Sequence, residues 1–295
     1  MGRSIKLARF IGSRILGMSL MLIWVLVALG QTVKKPRMAS YDMNKPSEIV
    51  YLPALLNEVS GISFLKGNSF VLEEDEHGLL YIYNFTKREV SNGYRFADNG
   101  DYEDVCVLGD RVYVLKSNGD LYGMRLSELG RSAAEQVKTK LSSANDCEGL
   151  CADASGDLWI ACKGSAALDG SNIVGMRALY KFQMGKRKLK KNPVLLNEEL
   201  VSLIKPANNV ACSEASFAPS GIARHPLTGD FYVLAHKGKC LLVLDASFGI
   251  KAKYCLDKKL FRQPEGICFA PNGDLYITNE ADGEQATILL FRMLP

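Results

Sequence analysis

With 295 residues, 47% hydrophobic and 23% charged side chains and only 10 prolines, the chain can bury a sizeable core, which excludes the disordered classes. Its formal charge of +4 is carried by Arg3, Lys6, Arg9 and Arg14. Beyond residue 30 the basic and acidic side chains balance at 32 each, so charge gives no ground for nucleic-acid binding.

Those four cations precede an uncharged run over residues 15–30, whose length falls between a signal-peptide core and a membrane span. As an anchor, its helix starts near Phe10, and the charge bias leaves the N-terminus in the cytoplasm and the rest outside. As a signal peptide, it offers Ala28 and Gly30 as a small-residue cleavage site before Gln31. The expected organisation is a signal-anchor or signal peptide over 1–35, a linker over 36–46 and one β domain over 47–295. The expected location is the cytoplasmic membrane, single-pass, with the domain on the periplasmic or extracytoplasmic side, or secretion after cleavage.

Further along, two segments align without a gap: EGLCADASGDLWIAC at 148–162 and EGICFAPNGDLYITN at 265–279. Each reads as an apolar strand, a tight turn and a second apolar strand. Weaker copies begin at Ser60, Glu103 and Ser220. Third strands are expected over 79–85, 121–126, 178–184, 240–246 and 286–293, and fourth strands over 88–96, 136–141, 193–200 and 250–256. A unit near 45 residues is the length of a four-stranded propeller blade.

The fold class is therefore all-β, a five-bladed β-propeller, with six blades as the alternative because the interval from 148 to 220 is longer than one unit. Excursions at 164–175 and at 185–192 or 204–216 account for the excess. The basic run at 186–191 reads as a solvated turn, with lipid headgroup contact as the alternative. The fifth unit runs out of chain before its fourth strand, and the strand at 48–53 is expected to supply it and close the ring. Cys240 and Cys255 are equidistant from the centre of one predicted hairpin, so they could form a disulfide or simply be small buried residues.

In an antiparallel hairpin the start of the first strand and the end of the second share one end. Stacked around an axis, these ends gather Glu58, Ser60, Glu74, Asp75, Glu103, Glu148, Ser220, Glu265 and Glu280 at one mouth, against Lys163 and His236. Crowded carboxylates repel and raise one another's pKa unless a cation is present. Oxygen-rich sites of forgiving geometry suit Ca²⁺. Asp101, Asp146 and Asn145, just before the strand starts, could supplement such a site; the alternative is that these acids cap turns, accept backbone N–H bonds or pair with Lys163 and nearby arginines.

No nucleophile elbow, zinc-protease helix or phosphate loop occurs. Of the histidines, His225 reads as structural, at the opposite end, and His77 as part of a solvated acidic turn. His236 is the one histidine placed to act as an acid or base if the protein is an enzyme.

The segments Glu58 to Ser63, Asp101 to Glu103, Asp146 to Leu150, Gln263 to Ile267, and Asn279 with Glu280, are together similar to those of the SdiA-regulated (YjiK-like) bacterial β-propellers. The resemblance spans about residues 50–292 and implies a five-bladed propeller distantly like NHL-repeat proteins, an N-terminal membrane anchor and a calcium site, with no established activity. It places the family's acidic positions at Glu58, Glu103, Glu148, Glu265 and Glu280, which are thereby the expected metal ligands, with Asp75, Asp101 and Asp146 as supplementary ones; Ser220 departs from the pattern. The expected function is a calcium-binding, non-catalytic module at the cell envelope, with the membrane and an unknown protein or envelope ligand as partners. The alternative is a metal-dependent hydrolase with an axial cation.

Overall fold

The computed structural model describes residues 38–171, 173–208, 210–212 and 216–294; the expected anchor or signal segment lies outside them. Among the described residues no helix is long and apolar enough to cross a membrane.

Five antiparallel sheets make a five-bladed β-propeller. Blade I comprises Val59–Lys66, Ser69–Glu74, Leu79–Asn84 and an outer edge broken into Glu89–Val90 and Tyr94–Arg95. Blade II comprises Tyr102–Leu108, Arg111–Lys116, Leu121–Arg125 and Glu135–Val137. Blade III comprises Cys147–Ala152, Leu158–Cys162, Met176–Gln183 and a split outer edge, Lys188–Leu189 and Val194–Asn197. Blade IV runs Ala218–Arg224, Phe231–Lys237, Cys240–Leu244 and Ile250–Cys255. Blade V runs Pro264–Phe269, Leu275–Asn279 and Thr287–Phe291, and its outer strand is Glu48–Tyr51 from the other end of the chain.

The strand segments are rich in β-branched and aromatic residues, and glycines at φ 78° (Gly156) and φ 90° (Gly273) turn the inner hairpins of blades III and V. Five apolar clusters hold the ring together, each shared by two neighbouring blades. Phe70 of blade I packs on Tyr276 of blade V with ring centroids 4.6 Å apart, and Trp159 of blade III meets Phe231 of blade IV at 5.9 Å.

Around the axis the inner strands pack so closely that four of them need glycine. A Cβ on Gly61 would lie 2.6 Å from Val105 N, on Gly149 2.8 Å from Ile222 N, on Gly221 2.5 Å from Glu265 O and on Gly266 2.5 Å from Ser60 O. These contacts run from blade to blade at one level, so all five inner strands begin at the same end, the upper mouth.

The lower end is tied by Tyr41, which precedes the closing strand. Its hydroxyl donates to Gly273 O at 2.6 Å and lies 2.8 Å from His225 Nε2. His225 Nδ1 accepts the N–H groups of Leu227 and Thr228, so the ring proton sits on Nε2. Burial pushes this imidazole down to about 4, in keeping with the structural part the sequence suggested.

Two expectations require correction. The predicted strand 193–200 ends at Asn197 and becomes a short helix, Glu198–Leu203, because the Asn197 side chain accepts the Leu200 N–H and caps it. Cys240 and Cys255 do face each other across two strands, but Cys255 is bonded to Cys212 and Cys240 remains a buried thiol. Cys212 lies in the long insert, where no strand register could have pointed to it.

Candidate cation site at the upper mouth

Each inner strand carries a register shift at its start: between Val59 and Ile62, Tyr102 and Asp104, Cys147 and Gly149, Pro219 and Gly221, and Pro264 and Ile267. Such bulges free one residue from the ladder and re-aim its side chain. The freed positions are where the repeat places Ser60, Glu103, Glu148, Ser220 and Glu265.

The structure brings three of the named carboxylates into one cluster. Oxygen atoms of Glu58, Asp75 and Glu280 all lie within 4.8 Å of one another. Asp75 Oδ1 is buried and has no hydrogen-bond partner. Burial and then Glu58 push the Asp75 carboxyl up to about 6, while burial, a hydrogen bond with Glu58 and the nearby Glu265 push Glu280 up to about 9. Gln263 Nε2 donates to Glu280 Oε2, and the Glu280 N–H donates to Gln263 O at 2.9 Å, which fixes the residue at the rim.

The other predicted ligands are placed around the same mouth, and two of them, Glu148 and Glu265, are engaged elsewhere. Glu148 is buried and takes a 2.6 Å bond from Lys163 Nζ; burial pushes its carboxyl up to about 7 against the pull of that ammonium. Glu265 Oε1 lies 3.0 Å from His236 Nδ1. Glu103 is half-buried, and burial followed by repulsion from Glu148, Asp101 and Glu73 pushes it up to about 11. These repulsions link Glu103 to Glu148, Glu148 to Glu265, and Glu265 to Glu280, so the acids form a connected arc.

Of the supplementary residues, only Asp75 joins the cluster. Asp146 lies 3.8 Å from Lys163, and Asp101 is exposed. Asn145 is a strut: its Oδ1 accepts from Ser142 N, and its Nδ2 donates to the carbonyls of Ser165 and Ala167. Glu74 turns away and caps its own turn through the N–H groups of Glu76 and His77. Ser220 donates to Pro264 O at 2.7 Å, a link between blades IV and V.

Sequence reasoning missed the two acids on the axis itself. Glu73 and Asp104 are both buried, and burial pushes both carboxyls well above the usual range. Glu73 Oε2 accepts the Gly61 N–H, as Thr278 Oγ1 accepts the Gly266 N–H in blade V, but Glu73 Oε1 is buried without a partner. Asp104 occupies the position that is glycine in the other four blades, a signal present in the repeat alignment.

No family model matches this chain, and no curated protein matches it. Among solved structures it is similar to glutaminyl cyclase of Myxococcus xanthus (14% identity, TM-score 0.56, covering 84% of this chain and 95% of that one). It is also similar to the PQQ-bound form of the aldose sugar dehydrogenase of Streptomyces coelicolor (12%, 0.54, 88% and 100%) and to a streptogramin B lyase (9%, 0.50, 83% and 97%). At these identities the likeness establishes the propeller fold alone, shared by proteins of different activities.

Proposed function

We propose that the protein is a divalent-cation-binding propeller of the cell envelope, with Ca²⁺ the best fit, acting as a binding module whose upper mouth recognises a protein or envelope ligand. The observation that carries the reading is the Glu58, Asp75 and Glu280 cluster with the unpartnered, buried Asp75 Oδ1. Oxygens sharing one Ca²⁺ at about 2.4 Å each can lie up to ~4.8 Å apart, and the three oxygens here fall within that limit. Burial and the crowding of three carboxyl groups that lack a counter-charge raise the pKa of Asp75 and Glu280; a cation would supply that charge, and Asp75 Oδ1, which has no protein partner, offers a ligand. The YjiK-like resemblance agrees with this assignment and adds the membrane anchor over 1–35.

The test is calorimetric titration of the metal-free protein with Ca²⁺, together with melting in Ca²⁺ and in EDTA. Saturating Ca²⁺ at about a hundred times Kd should raise the melting temperature by roughly 5–10 °C. Glu280→Gln and Asp75→Asn should each weaken binding at least ~10-fold. Equal melting curves in Ca²⁺ and EDTA for the wild-type protein would overturn the assignment.

A second reading, a metal-dependent hydrolase, is favoured by one contact. Glu265 holds His236 Nδ1, an orienting carboxylate that fixes the ring and leaves Nε2 as the nitrogen for proton transfer. Turnover of lactones or phosphate esters that needs Ca²⁺ and is lost in His236→Ala would promote it over the binding module.

A further inference from the structure

Cys147 opens the inner strand of blade III and Cys162 ends the strand beside it. They are register partners across the antiparallel pair, both fully buried, and their sulfurs lie 3.8 Å apart. Directly opposed positions in antiparallel strands have Cβ atoms about 4.5–5.5 Å apart, close to the range a disulfide spans. A shift of roughly 1 Å in each sulfur brings the pair to bonding distance, within reach of a χ1 adjustment. Cys106, Cys151 and Cys268 line the lower end of the axis instead, and among the free cysteines of the described residues only Cys147 and Cys162 are in sulfur contact.

We infer that Cys147 and Cys162 are a disulfide-forming pair, a cross-strand staple placed directly beneath the acidic mouth. The next residue after each cysteine, Glu148 and Lys163, makes the 2.6 Å ion pair of the mouth, so the bond would tie together the two strand ends that carry it. This inference does not depend on a cation at Glu58, Asp75 and Glu280.

The oxidant is a disulfide of the glutathione class or an exchange-active protein disulfide. The Cys162 thiolate attacks it, forming a mixed disulfide and expelling one thiolate. The Cys147 thiolate then attacks the Cys162 sulfur, closes the protein bond and expels the second thiolate. Two protein thiols are oxidised, one disulfide is reduced, and the two protons pass to the departing thiolates. Because both sulfurs are buried, exchange occurs while the hairpin is open, during folding.

The experiment refolds the full-length protein from urea in a reduced/oxidised glutathione buffer, quenches it in acid, alkylates it under denaturing conditions and digests it unreduced with trypsin and a glutamyl endopeptidase. Cleavage after Glu148 separates the two cysteines. The expected product is peptide 141–148 linked to 149–163 through Cys162, with Cys151 alkylated. Alkylated Cys147 in a sample whose Cys212 is bonded to Cys255 would overturn the inference. The same digest on protein isolated natively from an oxidising compartment, with thiols blocked at lysis, decides the point if refolding yields aggregate. Closing a 15-residue separation should raise the oxidised-minus-reduced melting difference by roughly 5–10 °C over that of Cys147→Ser; equal differences count against the staple.

Discussion

Asp104 Oδ2 in blade II accepts a 2.6 Å hydrogen bond from the backbone N–H of Leu150 in blade III. Its Oδ1 takes the Val105 N–H at 2.8 Å. Where the other four blades bring backbone against a glycine, this one joins its neighbour through a carboxyl group. Asp104→Gly would restore the repeat but strand both amides in a dry ring, at a cost of about 1–3 kcal/mol. A melting temperature lower by roughly 3–10 °C is expected by circular dichroism; an unchanged or raised value would mean that the carboxyl group stabilises nothing.

The ring glycines should tolerate nothing larger. Gly221→Ala and Gly266→Ala each place a Cβ 2.5 Å from the backbone carbonyl of the next blade, and backbone in a closed ring has little room to yield. Losses of about 2–4 kcal/mol, or failure to fold, are expected. Gly185→Ala is the control, since a Cβ there meets nothing within 4 Å. Comparable losses in all three variants would show that close packing at the axis is not the cause.

Lys163 and Glu148 form a buried-to-half-buried pair, with the Glu148 side chain only 6% exposed. Lys163→Met leaves that carboxylate without its partner, at a cost of about 3 kcal/mol. Glu148→Gln in the same background should recover most of the loss. A double-mutant cycle in urea denaturation measures the coupling; a value near zero would assign the pair no part in stability.

The pH prediction rests on His225, whose imidazole is pushed down to about 4 by burial from an ordinary value near 6.5. The unfolded chain binds the proton more readily than the folded one, so this residue withdraws stability as pH falls from about 6.5 towards 4 and adds nothing further below that. The full effect is at most about 3 kcal/mol. In His225→Gln, which cannot titrate, the loss of stability over that interval should be shallower than in the wild type. Parallel curves would show that the ring is already charged in the fold.

The blades were legible because each inner hairpin repeats one pattern of apolar strand, Gly-Asp turn (Gly67-Asn68 in blade I) and apolar strand, and the turn fixes the register of the hairpin. Glu58 and Glu280 were legible through the same repeat, since hairpin ends must converge. The division of labour among the acids was not. Whether Glu73 or Glu74 faces the axis depends on a bulge that shifts pairing between Val59 and Ile62, and one residue of slip reverses the face. Glu74 satisfies two turn amides that any acid at that spacing could have taken. The helix over Glu198–Leu203 did carry a written signal, an Asn followed by two glutamates, but the strand period of the preceding residues masked it.

The strand Glu48–Tyr51 fastens the first described part of the chain onto the last blade, and Ser40 pairs with Leu294 at the foot of that seam. The two ends of the domain are thus near neighbours, and a linker of a few residues could join them while new ends are opened at another lower hairpin. Tension applied between the present ends would unzip the seam one backbone bond at a time, starting at Ser40 and Leu294, with the four blades that are complete in sequence left to yield last.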